Sequence, residues 1–243
     1  METKMKSIRN AAALLIAAAL AFAAAAASAQ DFDKIRKNLN ERLPLLPKID
    51  EVTKTPMPGL YEVRIGDEIF YSDDKGDFLI QGSLIDAKGQ KNITEERQAK
   101  LLNIAFDQLP VKDAFTIVRG NGKRKIAIFE DPNCPYCKHF ERDLQKINDV
   151  TIYLFLYPIL GPDSTDKSKN LWCAKDRTGA WLDWMLRGKA APNTVCDTTA
   201  VARNVEFGRK HKISGTPTMI MADGSRVAGA MPADDIEKLL AKK

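Results

Sequence analysis

The sequence predicts an α+β chain in two parts, a small strand-rich module and then a larger α/β domain, with a helix between them. Three observations carry this. From Leu60 apolar side chains recur at every second position, with Tyr61, Val63 and Ile65 on one face and Glu62 and Arg64 on the other, which is the period of a strand. Beyond residue 111 two near-continuous apolar runs, Lys125 to Phe129 and Thr151 to Tyr157, flank a helical segment; strand–helix–strand implies parallel strands with a right-handed crossover. At the turn into that helix stand Glu130-Asp131-Pro132-Asn133 and then Cys134-Pro135-Tyr136-Cys137, a C-x-x-C placed where a strand gives way to a helix.

The elements follow in order. Lys4, Lys6 and Arg9, an alanine-rich stretch from Ala11 to Ala26, and Ala27-Ser28-Ala29 match a secretory signal cleaved after Ala29. A membrane anchor is the alternative, but the stretch is short and alanine is weakly apolar. Cleavage implies export into a compartment where disulfides persist. Residues 30–90 form the first module. Phe32, Ile35 and Leu39 have helical spacing, and Pro44, Pro47, Pro56 and Pro58 break the chain into a linker-like stretch. Three strands follow, from Leu60 to Ile65, Glu68 to Ser72 and Phe78 to Gln81, turned at Gly66-Asp67 and Asp73-Asp74-Lys75-Gly76. So small a meander buries a poor core, and pairing its edge with a second copy of the chain is the simplest remedy.

Residues 91–112 read as a linker helix, one continuous element from 92 to 109, with Asn92 and Glu95 as a capping box and Thr94 as an alternative cap. Residues 113–243 form the α/β domain. After the second run come a helical region over 165–187 ended by Gly188, and a helix from Thr198 to His211. A hairpin then runs from Thr218 to Met221 and Arg226 to Ala228, and a last helix from Ala233 to Leu240. The net charge of +5 is mild and both signs are interspersed, with no basic stripe, so nucleic acid is not an expected partner.

The chemistry points to the C-x-x-C. A helix starting at Cys134 puts that sulfur at the positive end of the dipole, among unpaired N–H groups, and favours its thiolate. Cys137 then lies one turn on and facing the same way, where it can attack a mixed disulfide on Cys134. Cys134 is expected to be the exposed, low-pKa nucleophile and Cys137 the buried resolver. Pro135 suits the first helical position. A structural disulfide and half of a zinc site are the alternatives. With no second C-x-x-C and only two histidines, no metal or cofactor is expected.

Strand, C-x-x-C helix, parallel strand, helical insertion, then Gly215-Thr216-Pro217 before a hairpin and a helix: this order resembles a thioredoxin fold. Leu171-Trp172-Cys173-Ala174-Lys175-Asp176, Ala191 to Asp197 around Cys196, Met57-Pro58-Gly59-Leu60-Tyr61 and Leu79-Ile80-Gln81-Gly82 narrow the match, and the chain resembles the DsbC/DsbG family of thioredoxin-fold disulfide isomerases. The resemblance implies a thioredoxin-fold catalytic domain with a helical insertion, preceded by a small cystatin-like dimerisation domain. It implies a cis Thr216–Pro217 bond packed against the C-x-x-C, and substrate held by Thr216, Pro217, Pro135 and Tyr136. It also implies a structural disulfide between Cys173 and Cys196, closing a loop of about 24 residues worth on the order of 3 kcal/mol. Expected partners are a second copy of the chain, misfolded disulfide-containing exported proteins, and a membrane reductase of the DsbD type, in the periplasm. The expected activity is disulfide isomerisation with accompanying chaperone activity. Pro135-Tyr136 departs from the Gly-Tyr of the best-known DsbC members and matches the DsbG branch, which lacks the second disulfide; the dipeptide tunes redox poise. The rival readings are a DsbG-like chaperone or reductase protecting single thiols, and a DsbA-like net oxidant, a type that is monomeric and lacks the N-terminal module.

Overall fold

In a computed structural model of the chain, residues 32–241 are described. The leader expected over residues 1–29, with its cleavage point, lies outside them. The chain divides between Gln98 and Ala99 into two compact units.

In the first unit, residues 32–42 form helix α1, whose Ile35 and Leu39 are buried as the apolar spacing requires. Four strands follow, β1 (Glu51–Lys54), β2 (Leu60–Ile65), β3 (Glu68–Asp73) and β4 (Leu79–Gln81), antiparallel in sequential order. β1 corrects the linker-like reading of residues 44–58. The four prolines flank a gap just long enough for a strand, and Val52 in that gap pairs with Val63 and joins the core of Ile35, Leu39, Ile49 and Val63. A minimal hairpin, β5 (Ile85–Asp86) with β6 (Lys91–Asn92), leads into α2 (Ile93–Leu101). Asn92 caps this helix, its Oδ1 accepting from the Glu95 N–H at 3.2 Å. Thr94 is instead engaged by the Leu84 N–H at 2.8 Å and by the Tyr71 hydroxyl.

The helix expected to continue to residue 109 ends at Leu101. Tertiary contacts override the local pattern there: Ile104 is 1 % exposed, packs with Ala127, Phe129 and Ile220, and donates its N–H to the Gly224 carbonyl at 3.0 Å. Burying that side chain is worth about 1.5–3 kcal/mol, more than helix propensity over a few residues.

The second unit is built on a five-stranded sheet, order β11-β10-β8-β9-β7. Its members are β7 (Phe115–Arg119), β8 (Arg124–Glu130), β9 (Val150–Leu156), β10 (Thr218–Met221) and β11 (Arg226–Ala228). Only β8 and β9 run parallel, joined through α3 (Pro135–Leu144) as the strand–helix–strand pattern predicts. β7, antiparallel to β9, is a strand the sequence reading did not single out. β8 is apolar on both faces. Ile126 and Ile128 pack towards Phe140 and Leu144 of α3, and Ala127 and Phe129 pack on the opposite side with Phe155 and Tyr157. The 165–187 region is two helices, α4 (Pro162–Cys173) and α5 (Arg177–Arg187), parted where Asp176 caps the second by accepting from the Gly179 N–H at 2.8 Å. Then come α6 (Thr199–Lys210) and, after the β10–β11 hairpin, α7 (Ala233–Leu240). Gly208 lets α6 close on Tyr157, the residue after β9: a Cβ there would stand 2.4 Å from the Tyr157 ring.

Candidate active site

β8 ends at Glu130, and three residues carry the chain to Cys134, the N-cap of α3. That short path is pinned by Asp131, which is fully buried. Its Oδ1 accepts from the Asn133 N–H and the Ser164 hydroxyl, both at 2.8 Å, and its Oδ2 from the Ile159 and Leu160 N–H groups at 2.8 and 2.9 Å. Asn133 reaches across to Asp163 and Ser164 through its Nδ2, and the Trp184 indole donates to the Pro132 carbonyl at 2.6 Å. Lys138 and Lys167 lie over the Trp184 ring. A loop this heavily tethered holds its cysteine in one place.

Cys134 Sγ accepts from the Cys137 N–H at 3.4 Å and lies 3.3 Å from the Thr216 carbonyl oxygen. The Thr216–Pro217 bond is cis, and Pro217 is buried. Pro135 occupies the first turn of α3 and is exposed, and Tyr136 beside it is 69 % exposed. The structure therefore brings Cys134, Cys137, Thr216, Pro217, Pro135 and Tyr136 into one site. It corrects one expectation: Cys134 is not open to solvent but only 4 % exposed. The loop before Pro217 sets the Thr216 carbonyl against the sulfur and helps to cover it.

The two thiols differ sharply. The Cys137 thiol beside it, contacts from the Thr216 side chain and the N–H groups of Cys137 and Tyr136 outweigh burial and lower the Cys134 pKa to about 5. Cys137, fully buried, is pushed the other way: desolvation comes first, then the Cys134 sulfur and Glu130. One sulfur is held as a thiolate and the other as a thiol, the division of labour a dithiol exchange site needs.

Cys173 and Cys196 are not part of this site. They are bonded to each other, join the end of α4 to the segment before α6, and Cys196 is exposed.

Sequence reasoning missed the acids below the sulfurs. Glu130 and Glu141 are both fully buried, and the Trp181 indole donates to Glu141 at 2.5 Å. Both had a signal in the sequence: Glu130 closes an apolar strand at the parity of Ile126 and Ile128, and Glu141 falls four residues after Cys137 on the buried helix face.

With this geometry in place, likeness to known proteins decides the family. Over 192 residues, 79 % of this chain and 68 % of the relative, the chain is 44 % identical to a probable thiol:disulfide interchange protein DsbC of Bordetella parapertussis. The chain belongs to the DsbC family. Identity to the thiol:disulfide interchange protein DsbC of Escherichia coli is 28 % over 199 residues, 79 % of this chain and 81 % of that one. Residues 111–243 match the thioredoxin-like domain and residues 21–95 the disulfide bond isomerase protein N-terminal domain. The crystal structure of a disulfide interchange protein from Neisseria gonorrhoeae, 40 % identical, matches with a TM-score of 0.52, covering 54 % of this chain and 96 % of that one. The C-terminal unit is a thioredoxin fold, and the protein is a thiol:disulfide oxidoreductase of the DsbC type.

Proposed function

We propose that the protein is an exported, periplasmic disulfide isomerase in which Cys134 is the nucleophile and Cys137 the resolver. The Cys134 thiolate attacks a wrong disulfide: the new bond joins Cys134 to one substrate sulfur, and the other leaves as a thiolate. A different substrate thiolate then displaces Cys134, or Cys137 does so and releases the substrate reduced. The observation that carries this reading is the lowered pKa of Cys134 beside a buried, unionised Cys137. A stabilised thiolate favours the reduced form of the site, so its disulfide is readily reduced and the dithiol stays available. Thr216 and Pro217 line the approach, where an extended substrate segment can pair with the backbone of Thr216. Tyr136 and Leu160, both exposed, offer apolar contact to unfolded chains, which supports a holding activity beside the chemistry. A membrane reductase of the DsbD type would return the site to the dithiol. The deciding experiment is refolding of a scrambled multi-disulfide protein. Regain of activity that survives in Cys134→Ser sinks the assignment, whereas holding of unfolded chains should persist when both active cysteines are replaced by serine.

The same reading makes the protein a homodimer through its N-terminal unit. β4 is one edge of the four-stranded sheet, and Phe78 just before it and Ile80 within it are 69 % and 48 % exposed. An edge with apolar residues is completed by a second copy. Ile80→Lys puts a charge on that edge and should shift light scattering from two chains to one. A single-chain mass for the unmodified protein at micromolar concentration defeats the dimer.

A further inference from the structure

Cys134 is placed by the peptide unit that precedes it. The Pro132–Asn133 peptide is held at both ends: the Asn133 N–H donates to Asp131 Oδ1 at 2.8 Å, and the Pro132 carbonyl accepts from the Trp184 indole at 2.6 Å. The Cys134 N–H in turn donates to the Asp131 carbonyl at 3.1 Å. A planar peptide pinned at its oxygen and at its nitrogen cannot rotate, so the dihedrals that lead into Cys134, the N-cap of α3, are fixed. Asp131 is a buried tether with four bonds, whereas Trp184, half-buried on α5, holds the turn by one. The Trp184 ring also carries Lys138 of α3 and Lys167 of α4, at 4.6 and 4.9 Å from its centroid. One side chain of the helical insertion thus joins the loop to the helix of the active site. The sulfur it serves has little slack: Cys134 Sγ stands 3.4 Å from the Cys137 nitrogen and 3.3 Å from the Thr216 carbonyl oxygen.

We propose that Trp184 is a positioning residue for the thiol chemistry: through the Pro132 carbonyl it sets how closely Cys134 Sγ approaches the Cys137 N–H and the backbone of Thr216. Without the indole, the carbonyl of the buried Pro132 loses its donor. A buried carbonyl left unpaired turns to find another partner; its peptide rotates, and Cys134 shifts with it. Hydrogen bonds weaken steeply with distance and angle, so the contacts that favour the thiolate weaken together. The titratable groups that face Cys134 are Cys137 of α3 and Glu130 at the end of β8, and the loop before Pro217 brings Thr216; a change at Trp184 leaves all three residues in place. The coupling runs both ways. If the indole bond favours the thiolate, forming the thiolate strengthens the indole bond by the same factor.

This inference rests on the nucleophilic role proposed for Cys134, and one experiment separates the two. Alkylation of the reduced protein by iodoacetamide is followed against pH. Cys134→Ser must lose the reaction that titrates near about 5; if it remains, the nucleophile lies elsewhere. Trp184→Phe keeps a ring beside the two lysines and removes the N–H. It should move the midpoint from about 5 to about 6 and slow alkylation at about pH 5 by about fivefold. Trp184→Leu, which also loses the lysine contacts, should move the midpoint further. Trp172→Phe removes an indole bond to a different carbonyl of the same unit, that of Asp197, and should leave the midpoint where it was; a merely structural role would make the two phenylalanine variants alike. If Trp184→Phe does not fold, the unmodified protein decides. In an isotope-labelled sample the Trp184 indole N–H resonance should shift as Cys134 ionises, and that of Trp172 should not. An unchanged midpoint in folded Trp184→Phe, or a Trp184 resonance flat across the titration, overturns the positioning role.

Discussion

Two pairs of cysteines lie in one unit of this molecule and behave in opposite ways. Cys134 and Cys137 are separated by two residues, sit at a helix start inside the core and are unbonded. Cys173 and Cys196 are 23 positions apart, bridge a helix end to an irregular segment and are bonded. The contrast teaches that surroundings, not the thiol itself, decide whether a cysteine pair opens and closes or stays shut. Around Cys134 the Cys137 thiol, the Thr216 side chain and the first N–H groups of α3 together outweigh burial and favour a thiolate, and a thiolate is both a nucleophile and a leaving group. No comparable helix start adjoins Cys173, which ends α4, or Cys196, which precedes α6.

The most drastic way to break the comparison is Cys134→Ser, which should abolish all dithiol chemistry while leaving the Cys173–Cys196 bond and the fold intact. Reductase turnover and free-thiol counting check this together; measurable turnover would move the nucleophile elsewhere. Next in size, Cys137→Ser should accumulate mixed disulfides with substrate, visible as adducts on non-reducing gels. A variant that releases substrate as fast as the unmodified protein has a different resolver.

The pH dependence sharpens the contrast. The Cys134 pKa falls from the ordinary 9.0 to about 5 on folding. An unfolded thiol therefore binds a proton that the folded one does not, throughout that window. The reduced protein should gain stability as pH rises from about 5 to 9, and lose that gain as pH falls back through 5. The oxidised form has no such thiolate. The excess stability of reduced over oxidised protein, read from urea midpoints, should grow across the window, and alkylation of Cys134 should titrate near 5. A flat difference breaks the account. At the locked pair, Cys173→Ala with Cys196→Ala should cost about 3 kcal/mol by loop entropy and leave the alkylation titration of Cys134 where it was. A shift in that titration would mean the two pairs are coupled.

How far the sequence exposed these differences depends on the range of the forces involved. Local rules sufficed for α3, since the apolar run, Pro135 and the C-x-x-C spacing are all short-range signals, and the period of two over Tyr61, Val63 and Ile65 marked β2 directly. They failed where distant partners decide. β1 is a strand because Val52 meets Val63, and the linker helix stops because Ile104 is claimed by a hairpin more than a hundred residues on. Glu130 and Glu141 left only a signal of parity and spacing for the same reason: a carboxyl in an apolar pattern reads as an exception until the fold buries it.

The smallest expected effect tests how the locked pair is held when it is not covalent. The Trp172 indole donates to the Asp197 carbonyl at 3.0 Å, and Arg177 stacks on its ring, so α4 is tied to the residue after Cys196 beside the disulfide itself. Trp172→Phe removes that bond, leaves the Asp197 carbonyl to find water, and should cost about 1 kcal/mol. With the disulfide intact the segment is already fixed one residue away, so the loss should be at the low end. In the background lacking Cys173 and Cys196 the indole is the remaining tie, and the same substitution should cost more. A urea double-mutant cycle reads this coupling, expected at about 0.5 kcal/mol or above for groups sharing one segment. Strict additivity would mean that the indole and the disulfide act on independent parts of the structure.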